Sequence, residues 1–216
     1  MRYDFDVLVV GSGFGGSVTA LRLTEKGYKV GVIEAGRRYD TAGPDAPPDA
    51  RHPELPKTNW KISRYLWMPA FGLTGIQRIH LIRGKKSSRV MVLAGAGVGG
   101  GSLNYANTLY VPPEPFFKDR QWAHITDWQD ELSPFYDQAS RMLGVVPNTT
   151  VTDADKVIKR VAERMGKADT FRLTPVGVHY GQGPGVESDD PFFGGAGPKR
   201  RGCTECGECM VGCRHG

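Results

Sequence analysis

Two groups of residues in this chain have the types and the spacing that binding chemistry requires. Residues 11–16 read Gly-Ser-Gly-Phe-Gly-Gly, and Glu34 follows at the distance expected in dinucleotide-binding units. Four cysteines lie close together further along the chain: Cys203, Cys206, Cys209 and Cys213. Glycines at this spacing let a backbone approach phosphate groups, and clustered thiolates are metal ligands. The sequence therefore offers a candidate dinucleotide site and a candidate metal site.

Each glycine of the first run has its own physical task. Gly11 permits a tight turn out of a strand, Gly13 lets the backbone approach a pyrophosphate, and Gly16 lets the next helix pack close to the sheet. Phe14 and Gly15 lie where that helix begins, with unpaired N–H groups and the positive end of the helix dipole. We expect this turn to bind the pyrophosphate of a dinucleotide.

The flanking residues predict the elements that position this turn. An apolar run ending at Val10 and a second at residues 30–33 predict two strands, with a helix over residues 17–26 between them. Glu34 ends the second strand, where a carboxylate accepts hydrogen bonds from ribose hydroxyls and repels a 2′-phosphate. Residues 1–36 are therefore predicted to form a βαβ unit, and the pattern alone leaves FAD and NAD open.

A second glycine-rich segment follows the apolar residues 90–93. Five of the seven residues from Gly95 to Gly101 are glycine, which removes side chains where a backbone lies against something bulky, flat or charged. A flexible linker is the alternative, but a linker would lack both the preceding apolar run and the segment Asn-Tyr-Ala-Asn at 104–107. We favour a binding role for residues 90–113.

Composition is that of an ordinary globular protein, with 39% hydrophobic residues and a formal net charge of +5. The basic residues are scattered, and Lys85-Lys86 is interpreted as a solvated loop, so nucleic acid is not an expected partner. No transmembrane segment and no secretory signal is recognised. We expect a cytoplasmic protein, with peripheral membrane contact and an exported form left open.

The rest of the chain predicts helices and irregular segments. Aromatic and apolar residues at 60–67 indicate a short amphipathic segment ended by Pro69, within an exposed connection that begins at residue 37. A helix capped by Asp127 is expected to kink or restart at Pro134. A further helix spans 154–165, and residues 177–202 are expected to be irregular.

A doubly wound sheet needs several parallel strands, yet only two convincing ones and a fragmentary candidate at 90–93 are found. We therefore predict an α/β fold with an incomplete Rossmann-like domain and the start of a substrate domain, in the N-terminal portion of a longer protein. The predicted organisation is a βαβ unit at 1–36, a connection with a short helix at 37–89, a second glycine-rich segment at 90–113, a helical and irregular segment at 114–201, and a cysteine-rich loop at 202–216.

The two glycine motifs in this order resemble the glucose-methanol-choline flavoprotein oxidoreductases. Residues 94–113 and the cysteine-rich loop resemble the sterol-oxidising members more narrowly. The resemblance implies FAD, with the second loop closing over the cofactor and two asparagines directed towards the flavin. The cofactor-binding residues that it implies are Gly11, Gly13, Phe14, Gly15, Gly16, Glu34, Gly97, Gly99, Gly100, Gly101, Ser102, Asn104 and Asn107.

The resemblance also implies a reaction. Family members transfer a hydride from an alcohol carbon to flavin N5, and O2 then reoxidises the flavin and gives H2O2. In the sterol enzymes a 3β-hydroxyl becomes a ketone, and the Δ5 double bond can shift to Δ4. The family's proton-handling residues lie in its C-terminal part, so no catalytic residue is assigned here. None of the five histidines is given that role: His52, His80, His124, His179 and His215.

The cysteine spacing C-x2-C-x2-C-x3-C is that of a bacterial ferredoxin run, so a [4Fe-4S] cluster is one interpretation. Arg214 replaces the usual proline, and zinc or a thiol-rich structural loop are the other interpretations. Two alternatives to a sterol or alcohol oxidase therefore stay open. One is a flavin dehydrogenase that passes electrons through a cysteine-bound cluster, and the other is a non-catalytic FAD-binding fragment.

Overall fold

The computed structural model describes residues 3–39, 55, 60–84, 89–191, 199–213 and 215. The chain divides into two compact units, one of Met1–Ala106 with Thr204–Gly216 and the other of Asn107–Cys203. The lysine pair interpreted as a solvated loop, Lys85-Lys86, lies outside the described residues.

The first unit opens with the βαβ arrangement that the glycine pattern predicts. Strand β1 (Val7–Val10) pairs in parallel with β2 (Val30–Ile33), and helix α1 (Phe14–Glu25) connects them. The helix begins at Phe14, three residues before the predicted start, because Gly13 is already its N-cap. Gly27, with φ +88°, follows the helix end in a left-handed conformation that suits glycine. The α/β class and the Rossmann-like unit are confirmed.

A second sheet occupies much of the predicted connection at 37–89. Helix α2 (Ile62–Tyr65) is a single turn, and the chain then forms β3 (Leu66–Met68), β4 (Leu73–Thr74), β5 (Gln77–Arg83) and β6 (Arg89–Gly95). Their order in the sheet is β4-β3-β5-β6, and only β3 and β5 are parallel.

One expectation about this region is wrong, and the predicted short helix is a single turn. Residues 90–93 belong to a strand, but β6 pairs antiparallel with β5 in the second sheet and does not extend the β1–β2 sheet. The amphipathic segment at 60–67 is helical only to Tyr65, because Leu66 is already extended and pairs with Gln77. Cross-strand pairing therefore overrides the local helical spacing.

The small core of the first unit contains two residues of the segment that was predicted to be an exposed connection. Tyr39 and Leu55 are each only 3% exposed, and they cluster with the fully buried Ile76. Tyr65 and Leu103 pack against this cluster. The chain around residues 37–58 thus supplies two anchors of the core.

The second unit contains the longer helices. Its helices are α3 (Glu114–Phe117), α4 (Trp128–Leu143) and α5 (Asp153–Arg164), and its short strands are β7 (Val146–Pro147), β8 (Pro175–Val176), β9 (Glu187–Ser188) and β10 (Arg200–Arg201). Strands β7 and β8 pair antiparallel, as do β9 and β10. The pairing of β9 with β10 gives local order to the stretch that was predicted to be irregular.

The caps of α4 and α5 explain where these helices begin. The Asp127 carboxylate accepts hydrogen bonds from the backbone N–H groups of Gln129 and Asp130, at 3.1 and 3.2 Å, as the sequence predicts. Thr152 and Asp155 form a reciprocal capping box at the start of α5. Of the two outcomes expected at Pro134, the new start is wrong, because α4 continues through this residue at the loss of one backbone donor, while the kink stays a prediction.

The β1–α1–β2 unit leaves apolar side chains uncovered. Val10 is 85% exposed, and Leu8, Val18 and Ile33 are each more than half exposed. In a doubly wound fold such faces are covered by neighbouring strands and helices. None of the helices in the described part of the chain is long and apolar enough to cross a membrane.

We predict that Asp127→Ala lowers the free energy of unfolding by about 1 kcal/mol, because two N–H groups of the first turn lose their acceptor. Asp127→Asn is the matched control, since asparagine caps about as well and should leave stability nearly unchanged. Urea unfolding of the complete protein, followed by circular dichroism, measures both variants. Equal losses in the two variants would contradict a capping role.

Candidate cofactor-binding site

The first glycine turn leaves the N-terminus of α1 open to a ligand. Gly13 caps the helix without any side-chain hydrogen bond, and the first turn contains no acidic residue. A Cβ atom added at Gly13 or Gly15 would meet nothing within 4 Å, whereas one at Gly16 would lie 1.9 Å from the Gly11 carbonyl oxygen. Gly16 is thus required by helix–strand packing, while unpaired donors face open space beside Gly13.

Glu34 connects this turn to the end of β2. One carboxylate oxygen accepts hydrogen bonds from the Ser12 backbone N–H at 2.9 Å and the Ser12 hydroxyl at 2.7 Å, and the other accepts from the Gly36 N–H at 2.8 Å. A carboxylate can accept about four hydrogen bonds, so about one position remains for a ribose hydroxyl.

The hydrogen bonds around Glu34 also set its acidity. Partial burial raises the pKa of this carboxyl, but the hydrogen bonds from Ser12 and Gly36, with a smaller contribution from the nearby Ala35 backbone N–H, outweigh burial, and the pKa lies below its ordinary value. A carboxyl whose pKa is lowered on folding stabilises the folded state above its unfolded pKa. That stabilisation is lost as the pH falls through the lowered pKa of Glu34. Because this pKa lies below its ordinary value, Glu34 is charged at neutral pH.

Ser12 is the residue of this site that the sequence reasoning missed. Its side chain is buried, and its hydroxyl donates to Glu34 while accepting a hydrogen bond from the Gly99 N–H at 3.1 Å. The Ser17 hydroxyl in turn donates to the Ser12 carbonyl oxygen at 2.7 Å. A serine between the first two glycines, followed by an acid at the end of β2, was the available signal.

The second glycine segment packs directly on the first. A Cβ atom at Gly100 would lie 2.8 Å from the Gly13 Cα, and one at Gly36 would lie 2.3 Å from the Gly97 nitrogen. Gly99 has φ +101° and precedes a 3-10 turn at Gly100–Leu103. The glycines here permit backbone-to-backbone contact, which explains why the segment is not a flexible linker.

Aromatic packing joins the two segments beside the helix start. The Phe14 ring meets the Tyr105 ring edge-on, with centroids 5.5 Å apart, and a Cβ atom at Gly101 would lie 3.0 Å from the Phe14 ring. Burial, and to a smaller degree the Cys209 thiolate, raise the pKa of the Tyr105 phenol. Tyr105 is therefore uncharged at neutral pH.

The remaining expected cofactor residues have local partners. The Asn104 amide donates to the Ile76 carbonyl at 3.3 Å and to the Gln77 side chain. The exposed Ser102 hydroxyl donates to the Gly99 carbonyl at 2.8 Å. Asn107 belongs to the second unit, where its carbonyl accepts the Gly177 N–H at 2.8 Å. Their orientation towards a flavin stays a prediction.

The cysteines are divided between the two units, and none of these four described residues forms a disulfide bond. Cys203 ends the second unit, whereas Cys206, Cys209 and Cys213 belong to the first. Within the described residues of the first unit, the Cys206 sulfur lies close to side-chain ligand atoms of Glu208 and His215. The sequence reasoning did not consider these two residues as metal ligands.

Comparison with known proteins gives the family. Residues 9–46 match the NAD(P)-binding Rossmann-like domain, which covers the turn and β2. Cholesterol oxidase from Mycobacterium tuberculosis is 61% identical over 220 residues, covering 100% of this chain and 35% of that protein. Cholesterol oxidase from Acinetobacter baumannii is 42% identical over 217 residues, covering 99% of this chain and 36% of that protein.

The chain belongs to the glucose-methanol-choline flavoprotein oxidoreductases. A more distant relative is the 2-methyl-1,2-propanediol dehydrogenase of Mycolicibacterium austroafricanum, 28% identical over 191 residues, covering 81% of this chain and 32% of that protein. The chain spans about a third of the length of the curated relatives it matches. The observed turn fits the cofactor of this flavoprotein family, because open space at Gly13 and Gly15 adjoins unpaired helix donors.

We predict that Ser12→Ala lowers the free energy of unfolding of the complete protein by about 1–3 kcal/mol, because the Gly99 N–H and Glu34 each lose a buried partner. Ser102→Ala makes the same chemical change at an exposed site of the second segment and should stay within about 0.5 kcal/mol of the parent. Urea unfolding compares them. Indistinguishable losses would mean that the Ser12 hydroxyl does not join the two segments.

Proposed function

We propose that these residues hold FAD in an enzyme that oxidises a sterol or another hydrophobic alcohol. The observation that carries the proposal is the uncapped N-terminus of α1, open beside Gly13 and flanked by Glu34, in a chain 61% identical to a cholesterol oxidase. The substrate class comes from that relative and its counterpart in Acinetobacter baumannii.

In this proposal the chain binds and orients the cofactor. The first-turn N–H groups of α1 and the helix dipole hold the pyrophosphate, and no basic side chain is needed for the anion. Glu34 accepts a hydrogen bond from the adenosine ribose with its remaining acceptor position. The second segment, from Gly97 to Ser102, lies over the cofactor, with Asn104 and Asn107 on the flavin side.

When bound, FAD would supply the redox chemistry, which is acceptance of a hydride from the alcohol carbon of a sterol as the hydroxyl proton passes to a base and the carbon becomes a ketone. We propose O2 as the oxidant that returns the flavin to its starting state, with H2O2 as product. Oxidation of a 3β-hydroxysteroid followed by a Δ5 to Δ4 shift is the finer form of the proposal. No residue of this chain is assigned as the base.

A second candidate function is a dehydrogenase that passes the electrons to another acceptor through the cysteine-rich loop. The ferredoxin-like spacing of the four cysteines favours it, and so does the naming of one relative as a dehydrogenase. A chain that binds FAD without turnover is the non-enzymatic alternative. Iron content and the electron acceptor separate these candidates from an oxidase.

We expect the complete protein to show the two-band spectrum of oxidised flavin and to lose it when cholesterol is added without oxygen. Admission of O2 should restore the bands and form H2O2 in an amount equal to the sterol oxidised. A spectrum that cholesterol leaves unchanged would keep FAD binding and reject the sterol substrate. Bleaching that O2 does not reverse, but an artificial quinone does, would favour the dehydrogenase.

Two glycine substitutions test the cofactor cradle itself. Gly13→Ala should leave the fold intact, because its Cβ meets no protein atom within 4 Å, but should weaken FAD binding by at least about tenfold, because the methyl group occupies the pyrophosphate side. Gly16→Ala should destabilise the protein, because its Cβ would overlap the Gly11 carbonyl. Flavin content and urea unfolding measure the two effects. Unchanged FAD affinity in Gly13→Ala would place the pyrophosphate elsewhere.

A further inference from the structure

The cysteine-rich loop brings together three side chains of different chemistry. A ligand atom from each of Cys206, Glu208 and His215 lies within 4.8 Å of the other two. Glu208 and His215 are half-buried, and Cys206 is exposed. Two of these residues are not part of the cysteine motif, so the cluster is distinct from the four-thiolate arrangement that the spacing indicates.

We propose that Cys206, Glu208 and His215 bind a divalent transition-metal ion of the zinc class. A thiolate, an imidazole and a carboxylate form a mixed sulfur, nitrogen and oxygen set, which zinc accepts and which calcium and magnesium do not prefer. The proposal does not depend on the proposed sterol oxidation.

The distances are compatible with one ion. Zinc bonds of about 2.3 Å to sulfur and about 2.0–2.1 Å to nitrogen or oxygen place tetrahedral ligand atoms about 3.3–3.6 Å apart. Ligand atoms that already lie within 4.8 Å of one another reach this geometry by small side-chain rotations. The exposure of Cys206 leaves the fourth position accessible to water.

The local backbone explains why these side chains meet. Gly207, with φ +73°, turns the chain directly after Cys206 into a 3-10 turn at Glu208–Val211. Val211 is buried, and a Cβ atom at Gly212 would lie 2.9 Å from the Leu55 side chain. Val211 and Gly212 therefore anchor the turn that carries Glu208 on the core of the first unit.

Metal analysis of the complete protein, purified without a metal-affinity tag, tests the proposal. We expect close to one equivalent of zinc per chain, and loss of most of it in Cys206→Ser and His215→Gln. Glu208→Gln should weaken zinc binding at least about tenfold, since a neutral amide is a poorer ligand than a carboxylate. Cys213→Ser is the matched control, because it makes the same change at another exposed cysteine outside the cluster. Flavin content and circular dichroism should be unchanged in every variant.

Cobalt substitution gives a second readout that does not depend on activity. Tetrahedral Co²⁺ has ligand-field bands at wavelengths longer than the flavin bands, and Cys206→Ser should shift these bands to shorter wavelengths and weaken them because the thiolate ligand is lost, while Cys213→Ser leaves them unchanged. Three results would overturn the proposal. The first is a protein that contains iron and acid-labile sulfide and loses them equally in Cys206→Ser and Cys213→Ser. The second is loss of zinc to the same extent in these two variants, and the third is a parent protein that binds neither zinc nor cobalt.

Discussion

The hydrogen-bonded chain from Glu34 through Ser12 to Gly99 is the constraint on which the rest of the site depends. Glu34 directly follows β2, Ser12 lies in the turn after β1, and Gly99 belongs to a segment 87 residues further along the chain from Ser12. Because the carboxylate is charged at neutral pH and accepts three internal donors, hydrogen bonds to it are stronger than those between neutral groups. Glu34 thereby fixes the conformation of the first glycine turn. Through the Ser12 hydroxyl it also fixes the position of the second glycine segment.

The glycines then have two separate tasks. Where a Cβ atom would collide with backbone, as at Gly16, Gly36 and Gly100, glycine is a requirement of packing within the protein. Where a Cβ atom would meet nothing, as at Gly13, packing within the described structure does not explain the glycine. The proposed phosphate group would explain it, because a side chain would lie in the way of its approach to the backbone. The motif spacing already predicts this division for Gly13 and Gly16, whereas the packing requirement at Gly36 and Gly100 depends on contacts that only the folded chain makes.

The βαβ unit could be predicted because its determinants are local: an apolar run, a glycine turn, a helix and a second apolar run. The second sheet could not, because β5 carries Arg78, His80 and Arg83 on a mostly exposed strand and is defined by its pairing with β6. The Ser12–Gly99 bond and the cluster around Cys206 were missed for a related reason. Each joins residues whose proximity depends on the folded chain. The regular cysteine spacing indicates thiolate ligands only, and it does not indicate Glu208 or His215.

The two candidate sites are not independent in their packing. Gly212, in the cysteine-rich loop, approaches the carbonyl oxygen of Leu103 so closely that a Cβ atom there would lie 3.3 Å from it, and Leu103 ends the 3-10 turn of the second glycine segment. That segment is held by Ser12, which is held by Glu34. These contacts are all made between groups of the protein, and contacts that hold the two loops in place lower the free-energy cost of ordering them around a cofactor. Ligands that bind only the folded state also stabilise it, by about 2.7 kcal/mol at a concentration 100 times the Kd. A metal ion on the cysteine-rich loop and a dinucleotide in the turn would therefore both stabilise the folded state of the first unit, whose small core is formed by Tyr39, Leu55 and Ile76.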